Sequence, residues 1–263
     1  MKIADSLRHE CMPEMVYSLC KMCQTCIERK DLQRVITLGD NSKSSQDQFN
    51  NVLTFAIECG FIGEEDGVLL SKFEGGQLET FKSFRYAIFS EVLKNRNTKF
   101  IKMAEWYLQK STTEIFSLDT ASDLAARVND EIALGIDKFF ALGFRFWMVA
   151  LGLAAQQNYR KSAVVYACHD ILEQVIVESS LEKNKPILAG TFMEYLVDKG
   201  AIFGVCVSNN KINMGLSMAL RVLRDSNIIE LNYVNDSSDI WHMEESNFDV
   251  NNLNKFTEVV IRR

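Results

Sequence analysis

The chain has 263 residues, of which 47% are hydrophobic and 24% charged. That composition excludes an extensively disordered protein and leaves length enough to bury a core, in one large domain or two small ones. Its 29 Lys and Arg against 35 Asp and Glu give a formal net charge of −6 and a pI near 5.3, which excludes a general nucleic-acid coat, because nonspecific affinity for DNA comes from neutralising phosphates.

Only 2 prolines, Pro13 and Pro186, interrupt the chain, so helices can run long. Residues 12–30 are predicted as the first helix: Pro13 suits a first turn, and Met15, Leu19, Met22, Cys23, Cys26 and Ile27 fall on one stripe. A short helix is expected over 31–38, ending near Gly39. After a turn rich in capping residues, a longer helix runs from Gln46 with Phe49, Val52, Leu53, Ala56 and Ile57 inward, and stops at Gly60. Phe61 and Ile62, an acidic glycine turn, and Val68, Leu69 and Leu70 then read as a β-hairpin. Three short helices cannot close a core alone; a hairpin pressed on their open side covers it.

The middle of the chain shows no parallel-sheet rhythm and reads as all-helical. Helices are expected over 78–93, 98–109, 124–138 (capped from 118–123), 139–155 and 158–180. The run 139–155 is short for a membrane span and holds Arg145, so it reads as a buried helix.

Near the C-terminus a helix over 186–199 and a short apolar stretch lead through a polar turn at 208–211 to a longer helix over 214–224. A second hairpin is predicted from 228–234, a turn over 235–239, and 240–243, with strands rich in β-branched and aromatic residues. The two ends can be laid over each other: Val52, Leu53, Phe55, Ala56, Cys59, Gly60, Phe61 and Ile62 fall opposite Ala219, Leu220, Val222, Leu223, Ser226, Asn227, Ile228 and Ile229. Gly60 and Asn227 meet at the point where a helix ends and a strand begins, and these two residue types best tolerate a left-handed backbone.

No catalytic signature emerges: there is no Gly-x-Ser-x-Gly, no His-Glu-x-x-His and no phosphate loop, since Glu74-Gly-Gly-Gln77 lacks the lysine and the strand-to-helix context. Cys20, Cys23 and Cys26 have the spacing that begins an iron–sulfur run, but the fourth cysteine and its proline are missing; a zinc site would need His9 or Cys11 as fourth ligand. Buried small hydrophobes are the preferred reading, with no metal and no cofactor. His169 and Asp170 are neighbours on a predicted helix, where adjacent side chains diverge, and His242 reads as a satisfied strand histidine rather than a wing-tip contact. Seven cysteines, an odd number, and a charged N-terminus without an apolar core point to a reducing cytoplasm.

Charge is uneven. Residues 40–75 carry seven acids against two bases, a net of −5, which suits protein docking; residues 183–227 carry six bases against three acids, a net of +3. The DNA-contact candidates are therefore Lys211 at the turn and Arg221 and Arg224 on the following helix.

The order helix, helix, turn, longer helix, small hairpin, met twice, resembles a winged helix-turn-helix. The expected fold is mainly α: two such units with small β-hairpins, over 1–75 and 185–263, flanking a central helical bundle over 76–184. The acidic pair resembles the tandem winged-helix accessory subunits that bind the kleisin of SMC-type chromosome complexes. It also resembles the small non-enzymatic subunits of bacterial defence cassettes such as Lamassu-type systems, which pair an SMC-like ATPase with a nuclease. The long helical insert departs from compact tandem pairs. The resemblance implies a non-enzymatic adaptor or scaffold in a cytoplasmic DNA-acting complex, such as an anti-phage or anti-plasmid defence complex. Its partners would be larger protein subunits, with DNA reached through the C-terminal unit and no membrane. The alternative is a sequence-specific DNA-binding transcriptional regulator using that C-terminal unit.

Overall fold

Helices dominate the regular structure and small β-sheets complete it, in a computed structural model that describes residues 1–92, 97–110, 114, 118, 120–156, 164–166, 168–199, 201–245 and 253–262. Described residues within Met1–Met103 and Leu118–Leu151 form one unit, and those within Ala104–Ser117, Gly152–Gln157 and Ala163–Arg263 form a second.

In the first unit, α1 (Pro13–Met22) carries its proline in the first turn, where a missing N–H breaks no bond. The helix stops at Met22 and does not reach 30. The following chain is drawn into a sheet: the Cys23 carbonyl accepts from the Ser71 N–H at 2.7 Å, and Ile27 and Glu28 form β1 (Ile27–Glu28) against Leu69 and Val68. Next come α2 (Arg29–Ile36) and α3 (Lys43–Glu58), whose cap hydroxyl on Ser42 accepts from the Ser45 N–H. The expected hairpin is present as β2 (Ile62–Glu65) and β3 (Val68–Ser71), and the sheet order is β1-β3-β2, all antiparallel. Then follow α4 (Phe81–Val92), α5 (Lys99–Leu108, divided between the units), α6 (Ala121–Ile132) and α7 (Lys138–Ala150).

Helix α7 is the apolar run, and it is buried. Its Trp147 ring lies 5.8 Å from Phe55 and 6.2 Å from Phe61, and its indole N–H donates to the Cys11 carbonyl at 2.8 Å. Arg145 is only 4% exposed; its guanidinium donates to the carbonyls of Leu118 and Thr120, each at 3.2 Å, which lets a cation sit on so apolar a helix. No helix among the described residues is long and apolar enough to cross a membrane.

The expected all-helical middle is interrupted. Helix α7 ends at Ala150, and β4 (Ala154–Gln156) pairs antiparallel with β5 (Val164–Tyr166). The last helix expected there is short, α8 (His169–Val177); residues 157–163 and 167 lie outside the described ones. The rest of the second unit runs β6 (Pro186–Leu188), α9 (Ala189–Lys199), a 3₁₀ turn, β7 (Val207–Ser208), β8 (Lys211–Ile212), α10 (Met214–Asp225), β9 (Ile229–Asn232), β10 (Trp241–Met243), β11 (Lys255–Phe256) and β12 (Glu258–Ile261).

The second hairpin differs from its prediction. Strand β9 forms, but its partner is β12, with Ile229 opposite Ile261 and Leu231 opposite Val259. Strand β10 joins a separate sheet of order β11-β10-β8-β7, antiparallel to β11 and parallel to β8. The reason lies partly in Asp239, expected to turn the hairpin. Its carboxylate accepts from the Gly190 N–H at 2.6 Å, at the start of α9, and from the Trp241 indole at 3.0 Å.

The two units nevertheless share one topology. The series α1, β1, α2, α3, β2, β3 is repeated as α8, β6, α9, α10, β9, β12, and in each the last strand lies between the other two. The hydrogen bonds coincide. At the helix exits, Phe61 N–H donates to Ala56 and Ile228 N–H to Leu223, both at 2.9 Å, with Gly60 at φ +74° and Asn227 at φ +55°. At the strand ends, Lys72 N–H donates to Phe61 and Arg262 N–H to Ile228, both at 2.8 Å. At the second helix of each series, Arg29 N–H donates to Gly67 and Ala189 N–H to Thr257. The second unit inserts β7–β8 between α9 and α10, and β10–β11 between β9 and β12; the two insertions pair with each other through β8 and β10.

Candidate functional site

Two surfaces stand out, one in each unit. In the first, α1 supplies Glu14, Met15, Ser18 and Leu19, α2 supplies Ile36, and α3 supplies Phe49 and Val52 to an open cleft of about 290 Å³. Met15, Leu19, Ile36, Phe49 and Val52 are its apolar lining, from three amphipathic helices, and Glu14 and Ser18 are exposed. Two residues past Ile36 stands Leu38, 93% exposed and at φ +51°, and Val35 is 47% exposed. A large apolar residue in the left-handed region, held out in water, adds nothing to folding. The hairpin of the same unit turns on Asp66 and Gly67, both exposed and both at positive φ, while Glu64 pairs with Arg29 at 3.4 Å.

In the second unit the three DNA-contact candidates are not brought together. Lys211 is exposed on β8. Arg224, on α10, is engaged by Asp225 at 2.8 Å. Arg221 is 3% exposed, and its guanidinium donates to the Glu244 carbonyl at 2.6 Å, so it is an internal tie and not a surface cation. The amphipathic pattern of α10 conceals this, because an arginine on its buried side looks like one on its solvent side until its partner carbonyl is known.

Lys211 instead acquires neighbours that the sequence reading passed over. It lies directly opposite His242 on β10, and His242 lies directly opposite Lys255 on β11. Ser208 on β7 is opposite Lys211 on its other side. Opposed residues share a face, so Ser208, Lys211, His242 and Lys255 form one row, all exposed, while Ile212, Trp241, Met243 and Phe256 are buried. The readable signal is the alternation in Trp241-His242-Met243 and in Lys255-Phe256; the pairing that aligns them is not local. The Lys255 ammonium is steadied 3.9 Å from the centre of the Tyr233 ring. An open cleft of about 630 Å³, lined in part by Ser208, Lys211 and His242, is bounded by Glu244 and Glu245 at the end of β10.

The remaining candidates disperse. Helix α1 ends before Cys23, and of the three spaced thiols Cys20 and Cys23 are buried whereas Cys26 is exposed. Among the described residues no group of three His, Cys, Asp or Glu could hold a metal ion. His9 stacks on Phe139 at 5.2 Å and meets Glu10 at 3.1 Å. His169 and Asp170 do approach, at 3.5 Å, contrary to the divergence expected of neighbours, and both are well exposed.

No family model, curated protein or solved structure matches the chain. The reading of its function therefore rests on the two surfaces.

Proposed function

We propose that this protein is a non-enzymatic adaptor subunit of a bacterial multiprotein complex that acts on DNA. Its two repeats are read as winged helix-turn-helix units, the first of which grips another polypeptide. The observation that carries this reading is the apolar cleft between α1, α2 and α3 beside the exposed Leu38 and Val35. The occupant it suits is an amphipathic partner helix with lysine or arginine on its flanks. Such a helix would lay its apolar stripe on Met15, Leu19, Ile36, Phe49 and Val52. Its charges would meet Glu14 and the −5 balance of residues 40–75. The resemblance to SMC-associated and Lamassu-type accessory subunits supports the choice of complex, with a larger SMC-like ATPase and a nuclease as its partners. The alternative, a regulator reading DNA with α10, has less support, because Arg221 is used internally and Arg224 is paired.

The test is native co-purification from the host with the tagged full chain, wild type against Leu38→Asp. The expected result is a stoichiometric larger subunit retained by the wild type and lost from the variant, with the thermal melt unchanged. A wild-type protein that runs alone, or a variant that keeps the whole complex, would overturn the reading.

A further inference from the structure

The cationic row of the second unit has no counterpart in the first, because it lies on the sheet made by the two insertions. Strands in a sheet stand about 4.8 Å apart, so Lys211 and Lys255 are separated by about 10 Å with His242 midway. Among the described residues no carboxylate lies within ion-pair distance of Lys211, His242 or Lys255, whereas elsewhere in the unit Arg224, Arg262, Lys185 and Lys199 each meet an acid.

We propose that this sheet face binds the phosphodiester backbone of a nucleic acid, with Lys211 and Lys255 neutralising phosphates, His242 hydrogen-bonding between them and Ser208 hydrogen-bonding beside Lys211. All four residues of the row are exposed, so the face is open to an extended ligand. A duplex offers one charge per about 1.7 Å of axis, so a 10 Å row meets several. The inference does not rest on the adaptor reading: a chain that co-purified with nothing would leave it standing, and its own failure would leave the cleft of the first unit untouched.

The experiment is fluorescence anisotropy of the intact protein with a 20-base-pair DNA duplex, and with the matching RNA duplex, across 50–200 mM salt. The variants are Lys211→Gln/Lys255→Gln, and Arg224→Gln as control. Each neutralised phosphate adds about 0.9 to the slope of log affinity against log salt, so the double variant is expected to flatten the slope by about 2, which makes its loss of affinity roughly tenfold greater at 50 mM than at 200 mM salt. Arg224→Gln should leave the slope in place. Equal binding of the RNA duplex would support a site that reads backbone charge alone; a preference for either duplex would support a backbone site sensitive to helix shape. No binding by the wild type, or an unchanged slope in the double variant with its fold intact by circular dichroism, would overturn the proposal. So would displacement of the duplex by millimolar pyrophosphate or by an equal concentration of polyglutamate, which would assign the row to a small phosphate or an acidic peptide.

Discussion

At the scale of single residues, the repeat is most visible where a helix hands over to a strand. Gly60 and Asn227 occupy the same left-handed position and end their helices with the same bonds, from Phe61 to Ala56 and from Ile228 to Leu223. A Cβ at Gly60 would have room, its nearest neighbour being the Met1 Cα at 3.9 Å, so Gly60→Ala carries a backbone cost alone. That substitution is expected to destabilise by about 1–2 kcal/mol, and Asn227→Gly to change stability by no more than about 0.5 kcal/mol, as read from urea midpoints. Equal losses at both sites would mean that the two exits are not equivalent. The residue scale also separates cations by use: Arg145 and Arg221 serve buried carbonyls, whereas Lys211 and Lys255 face water.

At the scale of elements, what was legible was local. The stripes of α3 and α10, the first hairpin, the cap region before α6 and the two helix exits are all written in contiguous residues. The pairings that failed to show were long-range. Residues 228–234 and 240–243, close in sequence and separated by turn formers, look like one hairpin, yet β9 takes a partner about 30 residues away and β10 crosses to the other insertion. The pattern extends α1 eight residues too far because Cys26 and Ile27 continue its stripe; only the pairing of Ile27 with Leu69 shows that the chain has passed into a strand. An apolar run such as 139–155 likewise does not tell where helix gives way to strand. The cationic row is not legible for the same reason, since its members come from four strands, and the pairings of β8 with β10 that align them are non-local. The cleft of the first unit is half legible: Met15, Leu19, Phe49 and Val52 of its lining fall on predicted inward stripes, whereas Glu14, Ser18 and Ile36 do not, and nothing in the pattern indicates that the helices leave it open.

At the scale of the whole molecule, six of the seven thiols are buried, and burial raises them: Cys11 and Cys23 to about 11, Cys206 to about 12, and Cys20, Cys59 and Cys168 as well. In the unfolded chain they return to about 8.5. Their contribution to stability is therefore full below about pH 8.5 and is lost as pH rises toward 11, because the unfolded chain gives up its thiol protons first. Urea midpoints should fall steadily over that interval; a flat profile from pH 8 to pH 11 would contradict the buried placement of these cysteines. The functional claim belongs to the same scale. In the proposed reading the cleft of the first unit, beside the acidic segment 40–75, grips a polypeptide, and the second unit carries an added sheet on the same series of elements. The most direct measurement is hydrogen–deuterium exchange on the native complex against the free chain. The account predicts added protection over Pro13–Met22 and Arg29–Ile36, the helices that border the cleft, on partner binding. A complex in which those two helices exchange as they do in the free protein would contradict it.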